Sequence, residues 1–529
     1  MFKFIQRHID ANMIKSAFAF AIIYCLLFNS AVIIYKFEYY QANILTAILE
    51  LAKDFVYLVI TLFVFFFGLS IHRVIFIIGS LLLFSTGALA SYYLFFFSIS
   101  PTLGMMPSIF GTHHTELYEL LSVKMIIWES FSILICLYSI SHFNVQTTKL
   151  FFSRILSAIC LLIVINNVIT PKFSFMKTYF PMQYLHNSYV FFFGKSHNKY
   201  TKEDISTKYK FQDKSDYDLI GVFVVGESAR YDHFGINGYE RDTTPHLSKT
   251  KNLVTFKSEA CSNNTYLAVP CMLSRFGAKD IDLVNTETSM LSILTKLGFD
   301  TIWFGTQSIT KYYRNQEGGS FYDEVNFHTI PGGSLVFMPN SHDCQMLPYL
   351  EKSIKSDGKK FIVLHMTGSH WNYAARHPEE FTKFQPVADS SMKHDPSGCS
   401  IEELVNSYDN SILYTDFFLH KVIETLKDKN AFLLYASDHG ESLGEEGRLT
   451  HGHECEKLPK EQYNVPLMVW MSDKYKNSHS DNWSSMREES KKEISHDSIF
   501  HTILDCLDIA SEAIDSSLSL CGGKKSLKG

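Results

Sequence analysis

The spacing of apolar positions changes character near residue 170. Before it, five stretches run almost free of charge, near 16–35, 54–71, 74–97, 120–141 and 151–169. Each is close to the ~20 residues that cross a bilayer's hydrocarbon core as a helix. The pattern therefore predicts five transmembrane helices within 1–170. Little more than His72 and Arg73 separates the second from the third, which fits a tight hairpin. The first stretch is too long for a cleaved signal peptide, and no small-residue cleavage pattern follows it. Beyond about residue 215 the pattern becomes short apolar runs bounded by turn residues: 219–225, 301–304, 361–366, 431–436 and 465–471. Helix-length segments such as 288–297 and 401–427 lie between them. Continuous apolar strands alternating with helices predict an α/β domain whose mostly parallel sheet is covered on both faces. Ligands of such sheets sit beyond the carboxyl ends of the strands.

Charge orients the spans. Lys3, Arg7 and Lys15 precede the first, Arg73 lies in the second connection, and Lys149 and Arg154 lie in or beside the fourth. The third connection, about 98–119, has no Lys or Arg. Basic segments stay on the cytoplasmic side, so five crossings deliver everything after residue 170 to the other side. Glu129 and Lys124, costly in lipid, either pair or face a polar cavity, and Lys124 can also snorkel from a helix end. Between the two parts, 171–215 interleaves Phe173, Phe175, Tyr179, Phe180, Tyr184 and Phe191–Phe193 with Lys and His. This suits either an interfacial linker at the headgroup layer or a core helix of the following domain. The organisation read is thus 1–170 transmembrane, 171–215 interfacial and 216–529 soluble and outside. The net charge of −6 and scattered basic residues give no footprint for nucleic acid.

The chemistry concentrates just after strands. The first ends on Gly226-Glu227-Ser228-Ala229-Arg230 and the fourth on Ser437-Asp438-His439-Gly440-Glu441. Glu, Asp and His are ligands zinc accepts, and these three are expected to converge at one sheet edge. Thr265 lies in a segment flanked by Cys261 and Cys271, a spacing that closes a short loop in an oxidising compartment. A threonine hydroxyl needs a metal or a base to become a nucleophile. An N-cap or an N-glycosylation sequon (Asn263-Asn264-Thr265) are the other readings of this threonine. His365 and His370 follow the third strand, and His451 and His453 stand in Thr-His-Gly-His. Opposite a metal, His370 and His451 could bind phosphate oxygens or protonate a leaving alkoxide.

Gly-Glu-Ser-Ala-Arg-Tyr-Asp-His at 226–233 and Gly-Tyr-Glu-Arg-Asp-Thr-Thr-Pro at 238–245 resemble the phosphoethanolamine transferases of Gram-negative bacteria. So do Thr265 between its cysteines, Gly-Ser-His at 368–370, Ser-Tyr-Asp-Asn at 407–410 and Ser-Asp-His-Gly-Glu-Ser-Leu-Gly at 437–444. That family includes the lipid A enzymes and the mobile colistin-resistance enzymes. The resemblance implies an alkaline-phosphatase/sulfatase-like fold, zinc on Glu227, Thr265, Asp438 and His439, catalytic Thr265, and substrate-binding His370 and His451. Thr306-Gln307-Ser308 and Gly368–Tyr373 resemble the branch that modifies Kdo in the lipopolysaccharide inner core, and Gln307 joins the substrate-binding set on that basis. The implied reaction moves phosphoethanolamine from phosphatidylethanolamine to lipopolysaccharide through a threonine intermediate. It takes place on the periplasmic side of the bacterial inner membrane. Transfer to lipid A phosphates, phosphoglycerol transfer and sulfatase-like hydrolysis are the alternatives. Cys25, Cys136 and Cys160 lie in spans as expected free thiols. Of the seven remaining cysteines, Cys261–Cys271 and Cys506–Cys521 are the expected pairs, with Cys344, Cys399 and Cys455 left open.

Overall fold

The structure, a computed structural model, describes residues 11–39, 44–111, 121–143, 150–194, 203–216, 218–284, 286–306, 326–329, 342–388, 396–453 and 459–522. The chain divides into two compact units, Met1–Phe110 with Leu121–Asn198, and Gly111–Leu120 with Lys199–Gly529.

The first unit is built on helices α1 (Ala11–Tyr39), α2 (Ile44–Leu69), α3 (Arg73–Phe97), α4 (Val123–His142) and α5 (Phe151–Ile169). All five contain a stretch long and apolar enough to cross a membrane, from Ala11–Ile34 to Phe151–Ile169. Aromatic rings fill the centre of the bundle. Phe20 meets Phe76 at 4.9 Å and Phe28 meets Phe84 at 5.4 Å between centroids, both edge-on, the orientation the ring quadrupole prefers. Leucine and isoleucine side chains such as Leu26, Leu82, Ile127 and Leu134 stay exposed on the outside. An apolar exterior is what a lipid solvent requires. Lys124 lies over the Phe96 ring at 5.5 Å, and Glu129 meets Ser85.

The segment after α5 folds back onto this bundle and continues as α6 (Met182–Phe193). Asn29 donates from Nδ2 to the Phe180 carbonyl at 3.0 Å and accepts the Phe180 N–H on Oδ1 at 2.8 Å. The Tyr184 hydroxyl lies 3.1 Å from that of Tyr24 and 2.8 Å from Thr86 Oγ1. Phe180 and Tyr184 are therefore core residues of the helical unit, not of the following domain, while Phe173 and Phe193 remain exposed.

The second unit holds an eight-stranded sheet. Its strands are β1 (Ile220–Gly226), β2 (Leu253–Glu259), β3 (Asp300–Gly305), β4 (Asn326–Thr329), β5 (Lys360–His365), β6 (Ala431–Ser437), β7 (Asn464–Met471) and β8 (Ile494–Ser495), in spatial order β8-β2-β7-β6-β1-β5-β3-β4. The β6-β1-β5-β3-β4 stretch is parallel, and β7 runs antiparallel to both of its neighbours. Alternate residues of β1 feed two cores: Phe223 and Val225 one face, Val222 and Val224 the other. Helix α9 (Ile401–Leu426), started by a Ser400/Glu403 capping box, covers the second face with Tyr408, Ile412 and Leu419. Helices α7 (Thr265–Met272), α8 (Met290–Lys296) and α10 (Asp497–Cys506) contribute Met272, Leu291 and Ile503 to the first.

A candidate metal centre beside a threonine

Register creates the site. Pairing of β1 with β6 sets Gly226 opposite Ser437, so Glu227 and the pair Asp438-His439 leave the sheet side by side. One ligand atom from each of the three lies within 4.8 Å of the others, and all three residues are fully buried. His439 Nε2 is 3.4 Å from Glu227 Oε1 and 3.4 Å from Asp438 Oδ2. The other ring nitrogen, Nδ1, sits 2.9 Å from the Gly440 carbonyl. A carbonyl only accepts, so Nδ1 carries the proton and Nε2 turns a lone pair toward the carboxylates.

Asp438 Oδ1 accepts the N–H groups of Ser228 at 3.2 Å and His439 at 2.7 Å. Its Oδ2 is buried without a hydrogen-bond partner among the described residues. Burial and then the Glu227 charge push the Asp438 carboxyl well up. Burial would raise Glu227 too, but His439, His370 and His451 together hold it low. Two carboxylates and an imidazole lone pair facing one point repel unless a cation stands between them. The donor set fits zinc, which takes Asp, Glu and His in this way.

Thr265 opens α7. Its predecessor Asn264 is the N-cap, accepting the Leu267 N–H at 3.1 Å, so Thr265 does not serve as the cap. The Thr265 hydroxyl donates to Glu227 Oε2 at 3.1 Å and lies 3.3 Å from His439 Nε2. The loop around it is closed by a Cys261–Cys271 disulfide over a separation of 10 residues. The sequon reading fails on burial, because Asn263 is 6% exposed and its amide donates to the His453 carbonyl and to Gln462 Oε1, each at 2.9 Å.

Backbone geometry around Glu227 is unusual. Ser228 adopts φ +56°, and its neighbours hold it there: its hydroxyl donates to Glu227 Oε1 at 2.7 Å and its carbonyl accepts Tyr408 Oη–H at 2.6 Å. Such outliers persist where the surroundings over-determine them. Gly368 passes so close that a Cβ would stand 2.8 Å from the Glu227 carbonyl oxygen. Asp343 pins that loop, accepting the N–H groups of Thr367 at 2.9 Å and Gly368 at 3.0 Å.

The same loop carries His370. The His451 ring centroid lies 4.2 Å from that of His439 and 5.8 Å from that of His370, so both histidines join the cluster. Burial, then His439 and His370, hold His451 well below the usual histidine range. Its Nδ1 lies 3.2 Å from Glu441 Oε2, and burial pushes the Glu441 carboxyl up to about 8. Two other histidines stand apart. His453 is buried against Gln462, Nδ1 accepting from Gln462 Nε2 at 2.6 Å. His365 is buried with neither ring nitrogen hydrogen-bonded in the described residues. Gln307 and Cys455 lie outside the described residues. Cys506 pairs with Cys521, while Cys25, Cys136, Cys160 and Cys344 are free thiols.

Glu441, Asp343 and Gln462 escaped sequence reasoning as contributors to the site. Only Glu441 carried a signal, standing inside the Asp-His-Gly-Glu run. Three of the sequence motifs meet at one carboxylate. Asp409 of Ser-Tyr-Asp-Asn, fully buried, accepts Arg241 at 2.9 Å and Tyr239 at 2.9 Å on Oδ2 and meets His233 Nδ1 at 2.6 Å on Oδ1. These motifs fasten the segment after Glu227 to α9.

A sulfatase family model matches residues 220–509, and a model described as phosphoethanolamine transferase EptA/EptB matches residues 59–189. The chain is 35% identical over 304 residues to the Kdo(2)-lipid A phosphoethanolamine 7''-transferase of Escherichia coli K12, covering 56% of this chain and 52% of that protein. The chain thus spans about half the length of the curated relatives it matches first. Among solved structures, the integral membrane lipooligosaccharide phosphoethanolamine transferase A of Neisseria meningitidis superposes with a TM-score of 0.79 at 24% identity. That match covers 95% of this chain and 98% of that one, and shows a shared fold. The periplasmic domain of Escherichia coli EptC, solved as a complex with zinc, matches with a TM-score of 0.51 at 25% identity, over 60% of this chain and 90% of that one. With more than half of its length on the first model, the chain belongs to the sulfatase family, and residues 59–189 ahead of that match fit the model described as phosphoethanolamine transferase EptA/EptB.

Proposed function

We propose that this protein is a zinc-dependent phosphoethanolamine transferase of the bacterial inner membrane. Its second unit works in the periplasm, taking phosphoethanolamine from phosphatidylethanolamine and passing it to lipopolysaccharide, at a Kdo residue of the inner core. The observation that carries the reading is the position of Thr265 Oγ1, 3.1 Å from Glu227 Oε2 and 3.3 Å from His439 Nε2, the nitrogen that also lies 3.4 Å from Asp438 Oδ2. Glu227, Asp438, His439 and Thr265 would hold the zinc, which when bound supplies a Lewis acid at the phosphoryl group. Five membrane-crossing helices favour lipid substrates, since donor and acceptor then meet in two dimensions.

The chain's own residues account for the rest. Thr265 Oγ1 forms a bond to phosphorus as its proton passes to Glu227, toward which the hydroxyl already points. The bond from phosphorus to the diacylglycerol oxygen breaks, and that oxygen takes a proton from His370. Phosphoethanolamine remains on the threonine. An acceptor hydroxyl then attacks the same phosphorus and gives its proton back to the histidine, while the bond from phosphorus to Thr265 Oγ1 breaks and the threonine recovers its proton from Glu227. His451, held by burial well below the usual histidine range, can accept a hydrogen bond from the acceptor hydroxyl and orient it.

The test is incubation of the purified chain with phosphatidylethanolamine and no acceptor. A phosphoethanolamine mass on the peptide carrying Thr265 supports the reading, and an adduct on Ser228 or Ser262 overturns it. Mass spectrometry of lipopolysaccharide from cells with and without the protein separates Kdo from lipid A phosphate. Release of free phosphoethanolamine to water at the rate of donor consumption would make it a hydrolase.

A further inference from the structure

Thr265 and the Asp438-His439 pair follow two strands that do not pair with each other. The threonine follows β2 and the pair follows β6, with β7 between those strands. The Cys261–Cys271 disulfide closes the threonine loop on itself and does not tie it to β6. A side chain from a third place makes that tie. His496 follows β8, the outermost strand, and its own N–H bonds the Glu259 carbonyl at 2.9 Å, at the end of β2. Its ring is 1% exposed. Nδ1 accepts the Cys261 N–H at 3.2 Å, and Nε2 lies 3.0 Å from the Ser437 carbonyl.

We infer that His496 is a positioning residue that sets the separation between the loop bearing Thr265 and the strand end bearing Asp438 and His439. The inference rests on the reading of Thr265 as the attacking group. An N–H can only donate and a carbonyl can only accept, so the two partners permit one form of the ring: neutral, with its proton on Nε2. Both bonds go to backbone, so they fix the chain trace rather than a rotamer. One reaches the bridged cysteine four residues before the nucleophile, and the other reaches the residue just before the first ligand of the pair. A near-attack geometry tolerates little error, and an ångström of drift can cost about a hundredfold. A second latch runs from Asn263 to Gln462, whose backbone carbonyl accepts the Gly440 N–H at 2.8 Å. Loss of His496 alone should therefore slow the reaction and not abolish it.

Full-length His496→Leu and His496→Gln in detergent, loaded with zinc, test this beside the unaltered chain. His496→Leu should keep its zinc and its Cys261–Cys271 disulfide, lose about ten- to a hundredfold in kcat for phosphoethanolamine transfer, and change KM for the lipid donor less than threefold. His496→Gln, whose amide can donate near the Nε2 position, should recover part of that loss. Wild-type kcat in His496→Leu, or zinc loss in step with activity, overturns the inference. A measurement on the unaltered chain stands even if the variants fail to fold. In histidine-15N-labelled protein the ring assigned to His496 should carry its proton on Nε2, and a proton on Nδ1 overturns the clamp. That readout needs no substrate, so failure of the transferase reading would show separately, as no transfer by the unaltered chain.

Discussion

Thr265 Oγ1 and Glu227 Oε2 lie 3.1 Å apart although β2 and the turns before it separate them in sequence. The hydroxyl proton of the threonine points at a carboxylate, which leaves its lone pairs free to face outward. Thr265→Ala should therefore abolish donor consumption and the covalent adduct together. Stability should move by about 1 kcal/mol or less, since one hydrogen bond and a small group are lost. Thr265→Ser should keep part of the turnover, because the attacking oxygen survives with a looser rotamer. Donor-only labelling with peptide mapping checks both.

Zinc removal should destabilise the second unit for a reason visible in its carboxylates. Without a cation, Glu227 and Asp438 face each other in a fully buried site, so chelation should lower the unfolding midpoint. Asp438→Asn should narrow the gap between chelated and untreated protein by removing one of the charges. Changing Asp438 and His439 together to Ala should empty the site, read as zinc per chain by elemental analysis. Zinc content equal to that of the unaltered chain would sink the ligand assignment.

How much of this was legible depended on whether the signal was local. Strands β1, β3, β5, β6 and β7 appeared as continuous apolar runs because both of their faces are buried or nearly so. β2 did not, since it buries Val254, Phe256 and Ser258 while Leu253, Thr255 and Lys257 stay partly exposed. The antiparallel direction of β7 was equally silent, because an apolar run has no sense of direction. Glu227, Asp438 and His439 could be found because each directly follows a strand. His496 could not: its ring acts on Cys261, 235 residues away, and on Ser437. Nothing near His496 in sequence announces those partners.

The disulfide of the threonine loop has a calculable effect. Closing a loop of 10 residues removes entropy from the unfolded chain worth about 2–3 kcal/mol. Cys261→Ser with Cys271→Ser should lower unfolding stability by that amount, read by denaturant titration. Reduction should also slow transfer more than the stability loss explains at 25 °C, where the unit remains folded, because the bridge also restrains Thr265. A double serine variant with unchanged transfer would show that the bridge is not needed to hold the nucleophile.

His365 supplies a prediction in pH. The ring is buried beside Trp303, with centroids 5.8 Å apart, and burial pulls its pKa down to about 4. In the unfolded chain the same ring titrates near ~6.5. Below that value the unfolded chain binds a proton that the folded chain refuses, so stability falls as pH drops from about 6.5 toward 4 and is unaffected above that window. The slope is at most about 1.4 kcal/mol per pH unit, or about 2 kcal/mol between pH 7.5 and 5. Other groups titrate in the same range, including Glu441 and Asp416 with raised values, so the contribution must be isolated by difference. His365→Leu removes the titration and forfeits no hydrogen bond described in the structure. Its stability relative to the unaltered chain should therefore rise by about 2 kcal/mol on going from pH 7.5 to 5. Denaturant titrations of both zinc-loaded proteins at the two pH values measure it, and a difference independent of pH would mean that the folded ring takes up its proton as readily as the unfolded one.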